Sequence, residues 1–580
     1  MACADLEDDD PVMVLRGRCW AQHREYAHPA RDVLKVAVLP ASRYRGCAVR
    51  GGELVVGARA AAQAAQVVGG GVLRACAPAG VGDGPWEPPF VHQLFPGELL
   101  FGYRGPGVAL RVWVREPELS MAVTGEAPGG SLLGEVPVRL PTGDGGGGGA
   151  EGAAAELLGL APAQKTLSLR VGADDVLSCL KDVLPRDFPS LGFAAAVGAA
   201  ACSPTAPPLP LRFYPGGGGA AAWAPPGERA AAYAAGAQRF FVQRWRPAAS
   251  PQLRGYMERL GALALWLIES ASAVDTGDER WEVFTVYREA GGGQGGGEGG
   301  GGRGEREEEE EEEEEEAGGP PDAPRLVGYA SVYRFTNPMR ARRPDTLRLS
   351  QLVVLPLFQR QGHGERLLRH VHAAAAAAEG GEGVLEVSIE DPCEGMARLR
   401  DVVDVGRAAA DSVFAGLPGW VAPPRADVPE GQLEPPAALL PLLRDLTEEE
   451  AAAGRSALRS TVLQVRRAYL ALLLARSGLL RGGGGREGGD EPLAKTLRLL
   501  VKRVILEADV ALKHVKDAAA KKTALEERFL ETVASLAAAL VRCSPPLCSR
   551  EDAAKAGQRW AAKQRELALE EAAERFAKSR

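Results

Sequence analysis

Residues 347–368 read LRLSQLVVLPLFQRQGHGERLL, and the order of residue types within them decides the fold. Leu347 to Leu355 is a short, mostly apolar run that stops at Pro356, as a strand does. Gln359-Arg360-Gln361-Gly362-His363-Gly364 follows and opens a helix that the pattern carries to Ala378. Small residues in such a turn let consecutive N–H groups point into one concavity, and the helix N-terminus adds about half a positive charge. Strand, turn and helix together predict a pyrophosphate cradle. The spacing matches neither the dinucleotide fingerprint nor the P-loop, which needs Gly-Lys followed by Ser or Thr. A Gly-rich β–α turn without a ligand is the alternative these residues leave open.

The neighbouring segments continue the pattern. Residues 251–273 predict an amphipathic helix with Leu260, Leu263, Trp266 and Leu267 on one face and Pro251 in its first turn. Strands are predicted over 281–289, 325–335 and 384–390, with a further helix from 397. The first two strands read as a hairpin whose tip is a polar insertion, 290–324, expected to be disordered. Upstream, 90–123 alternates apolar and polar positions between Gly/Pro turns, 145–149 is a glycine tract, and 174–184 has helical spacing. Downstream of 437 the pattern is helical, over 445–476, 493–515, 525–542 and 553–577. The expected organisation is a poorly defined lead-in (1–85), an N-terminal α/β domain with disordered Gly/Ala/Pro insertions (86–245), a core (246–436) and a C-terminal helical region (437–580). The fold class is α+β: a mixed, mostly antiparallel sheet flanked by helices.

Composition narrows the class. Glycine (72) and proline (42) make up about a fifth of the 580 residues, so fewer domains are expected than length alone implies. At 46% hydrophobic, the chain still has enough apolar side chains for sizeable cores. The formal charge of −8 becomes +2 once the ten glutamates Glu307–Glu316 are set aside, which gives no global bias toward nucleic acid or anionic lipid. No run of eighteen apolar residues predicts a membrane span, and MACADLEDDD lacks the apolar segment of a secretory signal. Nine scattered cysteines without a C-x-x-C pair fit reduced thiols in a soluble intracellular protein. His370 and His372, two apart on a helix, point in different directions, and no metal is expected.

Q-x-x-G-x-G after an apolar strand resembles the acyl-CoA loop of the GNAT superfamily of N-acetyltransferases. More narrowly, 347–368 resembles the catalytic subunit of type B histone acetyltransferases. FVHQLFPGELLFGY (90–103), LWLIESASAVDTGDERW (265–281) and SIEDPCEGMARLRD (388–401) agree with that family in order and spacing. The resemblance covers 90–125 and 250–420 in detail and implies a GNAT acetyltransferase fold with acetyl-CoA as co-substrate. It implies that Leu352, Val353 and Val354 offer main-chain groups to the pantetheine arm and thioester. Gln359, Arg360, Gln361, Gly362, His363, Gly364 and Glu365 would then hold the pyrophosphate. Arg360 and Glu365 depart from the smaller residues common there.

Acetyl transfer to lysine needs a base, because the ammonium form has no lone pair and a reference pKa of about 10.4. Glu390 matches the family's general base; Asp391 adjoins it, and Glu269, expected on the helix, matches a second nearby carboxylate. The competing reading makes Asp391 a cap for the next helix. Cys393 lacks an evident activating group for covalent acyl transfer. The resemblance aligns Pro96, Gly97, Glu98, Tyr333, Arg334 and Phe335 with positions that hold the histone tail, although turn and sheet packing explains them equally well. Arg334 replaces a neutral residue there and would repel a basic tail.

The resemblance implies a histone acetyltransferase acting on lysines of the amino-terminal tail of newly made histone four, by direct attack in a ternary complex. Expected partners are a core histone tail and a histone-binding WD-repeat propeller subunit, with no direct nucleic acid and no membrane; nucleus and cytoplasm are both compatible. The rivals are an acetyltransferase for another protein lysine or amine and a non-catalytic histone-escort module. The Glu307–Glu316 run reads either as a low-complexity expansion or as an electrostatic lure for basic histone. Deleting it separates the two. A lure requires the low-salt KM for a histone tail to rise on deletion, and an unchanged KM ends that idea.

Overall fold

The fold is taken from a computed structural model, which describes residues 27–39, 47–50, 53–56, 86–91, 94–95, 98–101, 103, 108–116, 119–126, 133–139, 166–172, 180, 225–289, 324–336, 345–377, 384–429, 439, 443–480, 491–558 and 562. Pro96, Gly97, the glycine tract at 145–149, the bulk of the 174–184 helix, all but the last residue of the 290–324 insertion, its glutamates included, and most of 559–577 lie outside the described residues. Two compact units emerge: 1–329 with 353–361, and 330–352 with 362–580.

In the first unit, β1 (Ala27–Pro29), α1 (Ala30–Val33) and β2 (Leu34–Leu39) lead into the pairs β3 (Cys47–Arg50) with β4 (Glu53–Val56), and β1 with β5 (Leu99–Phe101). A three-stranded sheet places β6 (Ala109–Arg115) between β2, which it meets in parallel, and antiparallel β7 (Ser120–Glu126). β8 (Leu133–Arg139) pairs with β9 (Thr166–Gly172). Among the described residues the main sheet, which is not confined to the first unit, has six strands, in the order β10 (Glu228–Ala235), β11 (Gln238–Trp245), β12 (Trp281–Arg288), β13 (Arg325–Phe335), β14 (Thr346–Val354) and β15 (Glu386–Ile389). β10, β11 and β12 are antiparallel, and β14 runs parallel to β15, so the sheet is mixed, as the sequence implies.

α2 (Pro251–Leu267) starts where Ser250 Oγ accepts the Leu253 N–H (3.2 Å). It buries Tyr256, Met257, Leu260, Leu263 and Trp266. Tyr256 and Tyr287 hydroxyls meet at 3.0 Å, and Trp245 Nε1 donates to Thr285 Oγ1 (3.2 Å), so the polar ends of these buried rings are satisfied. The helix stops six residues earlier than its sequence suggests. Ile268 is already extended (φ −128°, ψ 122°), because no fully buried side chain follows Trp266 on that face. Glu269 therefore sits in an exposed turn just past the helix, not on it.

β13 and β14 approach so closely that a Cβ on Gly328 would stand 2.3 Å from Val353 O, which only glycine avoids. Arg325, at the start of β13, donates from Nε to Glu116 Oε2 (2.9 Å), a pair that is almost wholly buried.

In the second unit, α3 (His363–Ala377), α4 (Glu394–Ala410), α5 (Glu448–Leu458), α6 (Val462–Ser477), α7 (Glu491–Ala508), α8 (Val510–His514) and α9 (Ala518–Val541) supply the helices. Val402, Val405 and Ala408 of α4 share one apolar core with Tyr469, Leu472 and Leu473 of α6 and Val533, Leu536 and Leu540 of α9. α4, placed before 437 by the sequence, thus packs with the helices beyond it. The single helices expected over 445–476 and 493–515 are each two. Arg459 takes a left-handed φ of 48° and Thr461 caps a new start; Asp509 likewise caps α8 by accepting the Leu512 N–H (3.0 Å). Among the described residues no helix is long and apolar enough to cross a membrane.

Burial pushes the Glu116 carboxyl up to about 7, outweighing the attraction of Arg325. With the folded value above the unfolded one, the folded chain binds the extra proton between about pH 4.5 and 7. Its stability therefore falls as pH rises through that window, by on the order of 3 kcal/mol. Glu116→Gln should remove that part of the slope in Tm against pH, whatever its absolute Tm; a slope equal to the parent's would contradict the assignment.

Candidate active site

Along β14 buried and half-buried residues alternate. Leu347, Leu349, Gln351 and Val353 are buried, while Arg348, Ser350, Leu352 and Val354 share the other face. The parallel ladder with β15 runs from Thr346–Glu386 to Leu349–Ile389. Its last bond is the Glu390 N–H to Leu349 O (3.0 Å), yet β14 continues to Val354. Ser350 Oγ donates to Glu390 Oε2 at 2.6 Å where that ladder ends. β14 therefore runs on for five residues past the last one it pairs with β15.

Asp391 leaves the strand with a left-handed φ of 31°. It does not cap α4: Cys393 holds the N-cap position, with no side-chain bond, and both residues are exposed. Glu390 is 43% exposed, and Arg348 Nη1 lies 3.6 Å from its Oε1. Arg348 also stacks on Phe335, its guanidinium carbon 4.4 Å from the ring centroid, and Phe335 meets Tyr333 edge-on at 4.6 Å. Arg334 is held by Asp345 (3.0 Å), which offsets its charge. Glu98, in the other unit, is exposed in a turn with φ 55°.

β15 is held from its far edge as well. The Val387 N–H donates to Arg459 O (2.8 Å), Val387 and Ser460 form a parallel bridge, and Arg459 Nη1 donates to Val384 O (2.9 Å). Arg455 Nη2 lies 2.7 Å from Glu386 Oε2. The break between α5 and α6 therefore serves as an extra edge for the strand that leads to Glu390.

After β14 a 3-10 turn, Pro356–Phe358, precedes the glycine turn. Gln359 Nε2 donates to Val354 O and Gln361 Nε2 to Leu357 O, both at 2.9 Å, so these side chains tie the loop to itself. Arg360 (φ 63°) and Gly362 (φ 85°) both have left-handed backbones, interrupting the right-handed path in the manner of an anion-binding nest. Glu365 pairs with Arg369 one turn on, at 3.1 Å. His363 is buried at the start of α3, and burial, helped by Arg366, holds its pKa down to about 4, so the ring is neutral near pH 7. Among the described residues no group of three or more His, Cys, Asp or Glu side chains is placed to hold a metal ion.

Residues 301–394 match the model of the Acetyltransferase (GNAT) family. That match takes in β13, β14, the glycine turn, α3 and β15. The chain is also similar to proteins named histone acetyltransferase type B catalytic subunit. It is 32% identical to that of Rattus norvegicus over 150 residues (26% of this chain, 28% of the relative). It is 33% identical to that of Homo sapiens over 150 residues, with the same shares. With that of Mycosarcoma maydis it is 30% identical over 168 residues (29% and 30%). The matched stretch thus spans under a third of those relatives' own lengths. A solved aminoglycoside acetyltransferase from an uncultured soil metagenomic sample is 13% identical, covering 31% of this chain and 90% of its own at a TM-score of 0.17, too low to carry an argument.

The sequence reading overlooked Ser350 and Arg348. Both lie on the Leu352 face of β14 at i−2 and i−4, so strand alternation could have singled them out. Arg455, Arg459 and Ser460 gave no such signal, being some 70 residues beyond β15. A hydrogen bond to a carboxylate is worth roughly 1.5–3 kcal/mol. Ser350→Ala should therefore lower acetyl-transfer turnover about tenfold or more while leaving acetyl-CoA affinity unchanged; full turnover in the variant would remove Ser350 from the site.

Proposed function

We propose that this protein transfers acetyl from acetyl-CoA to lysine ε-amines of the amino-terminal tail of newly made histone four. The observation that carries the reading is Ser350 bonded to Glu390 at the point where the β14–β15 ladder stops, one turn ahead of the glycine loop. Glu390, ordered by Ser350, accepts a proton from the lysine ammonium and frees its lone pair. The amine attacks the thioester carbonyl, the N–C bond forms, the C–S bond breaks, and the second proton lost by the nitrogen goes to the departing thiolate, so coenzyme A leaves as its thiol. The Val353 or Val354 N–H stabilises the oxygen where negative charge develops. Residues 359–365 and the α3 N-terminus hold the pyrophosphate, mainly through main-chain N–H groups, since Gln359 and Gln361 spend their amides on the loop.

Tyr333 and Phe335 cover the aliphatic stem of the incoming lysine. Asp391, the next residue after Glu390, adds negative charge that favours a cationic substrate. A WD-repeat histone-binding subunit is the expected partner, and the setting is chromatin assembly, in nucleus and cytoplasm. The names borne by its relatives support this reading.

The decisive comparison is turnover on a histone-four tail peptide by the parent and by Glu390→Gln, with acetyl-CoA affinity measured for both. A loss of a hundredfold or more with affinity retained is the expected result. Equal rates would move the proton to Asp391 or Glu269, and failure of the parent to bind acetyl-CoA would end the acetyltransferase reading.

A further inference from the structure

Phe335 and Glu390 between them form a seat for a cation, and Arg348 fills it. An aromatic face beside a carboxylate suits a primary ammonium as well as a guanidinium. The seat is open: Arg348 and Glu390 are each 43% exposed and Phe335 38%. Arg348 is held there loosely. Its 3.6 Å approach to Glu390 Oε1 is a charge contact rather than a hydrogen bond, whereas Ser350 holds the other oxygen at 2.6 Å. The neighbouring cation differs, since Arg334 is tied to Asp345 at 3.0 Å on side chains only 26% and 17% exposed.

We propose that Arg348 is a specificity-determining placeholder for the substrate ammonium: it occupies the seat between Phe335 and Glu390 in the resting protein and yields it to an incoming lysine. The inference rests on the proposed function in that the substrate lysine is brought to Glu390, whether or not Glu390 is the base. Two cations cannot share the seat, because like charges a few ångströms apart repel. Substrate entry is therefore an exchange of one cation for another, with Glu390 paired before and after. An acetylated lysine has no charge to hold the seat, so the returning guanidinium displaces the product. The substrate class that follows is an unmodified lysine in an extended peptide.

The test measures the affinity of the unmodified and the acetylated tail peptide by calorimetry, without acetyl-CoA, for the parent, Arg348→Met and Arg348→Lys. Arg348→Met keeps a long stem without charge and should bind both peptides roughly threefold to tenfold more tightly, with acetylated product a stronger inhibitor in turnover. Arg348→Lys should restore parental affinities, and acetyl-CoA affinity should not move. A merely structural arginine would give weaker or equal binding in Arg348→Met, and either result overturns the proposal. Because the readout is peptide affinity, it is independent of the base assignment. A fully active Glu390→Gln with tighter Arg348→Met would sink the base and leave the seat, and the opposite pair would do the reverse.

Discussion

β15 is four residues long, and a strand that short keeps its position only if both of its edges are occupied. One edge is the parallel ladder to β14; the other is the Arg459–Ser460 segment, reinforced by Arg455 on Glu386. Glu390 is the next residue, and its own N–H makes the last ladder bond, so little slack separates the clamp from the carboxylate. The backbone of the α5–α6 break is thereby part of the same framework that orders Ser350 and Glu390. The arrangement reaches deeper still. Ser460 donates to Asp404 Oδ2 (2.9 Å) on α4, whose pKa burial raises to about 6, and Arg407 of α4 donates to Leu458 O (2.5 Å).

This interior is polar for a reason of geometry. α4 carries Asp401 and Asp404 in the interior; Asp401 finds its partners on α6 and α9, and Asp404 accepts from Ser460 between α5 and α6. Arg467 grips Asp401 with contacts of 2.8 and 2.5 Å, and Ser535 adds a third at 2.7 Å. His372 of α3 is kept neutral by burial, its pKa down to about 3, so its Nδ1 can accept the Arg407 Nη1 donor at 2.9 Å. Buried charges with this many directional partners fix register between helices more than they add stability.

The strand, loop and helix of 347–377 were legible because each announces itself locally: an apolar run, a proline, clustered glycines, then helical spacing. β13 was legible to the residue for the same reason. β10 was not, since ERAAAYAA is rich in alanine, a poor strand former, and its place in the sheet comes from pairing with QRFFVQRW. The end of α2 was overrun because Ile268 to Ala273 lacks a Gly or Pro stop, and only burial shows that the helix has nothing further to cover. The break at Arg459 is invisible for a related reason: arginine is a good helix former, and its left-handed turn is imposed by the bond to Val387. Glu390 was picked out by its motif; strand alternation puts Ser350 and Arg348 on the Leu352 face, but their contacts with Glu390 emerge only once the two parallel strands lie side by side.

The clamp on β15 also does something for the molecule that has nothing to do with chemistry. β15 is the last strand of its sheet, and a terminal strand offers unpaired N–H and C=O groups to any chain that can add to it. Here residues 459 and 460 cover the middle of that edge, and the arginines 455 and 459 flank it with charge. A chain cut before residue 455 would retain the residues of all six strands and the glycine loop but would hold β15 from one side only and expose its other edge to its neighbours. The segment that completes the sheet thus lies past the first helix of the C-terminal region.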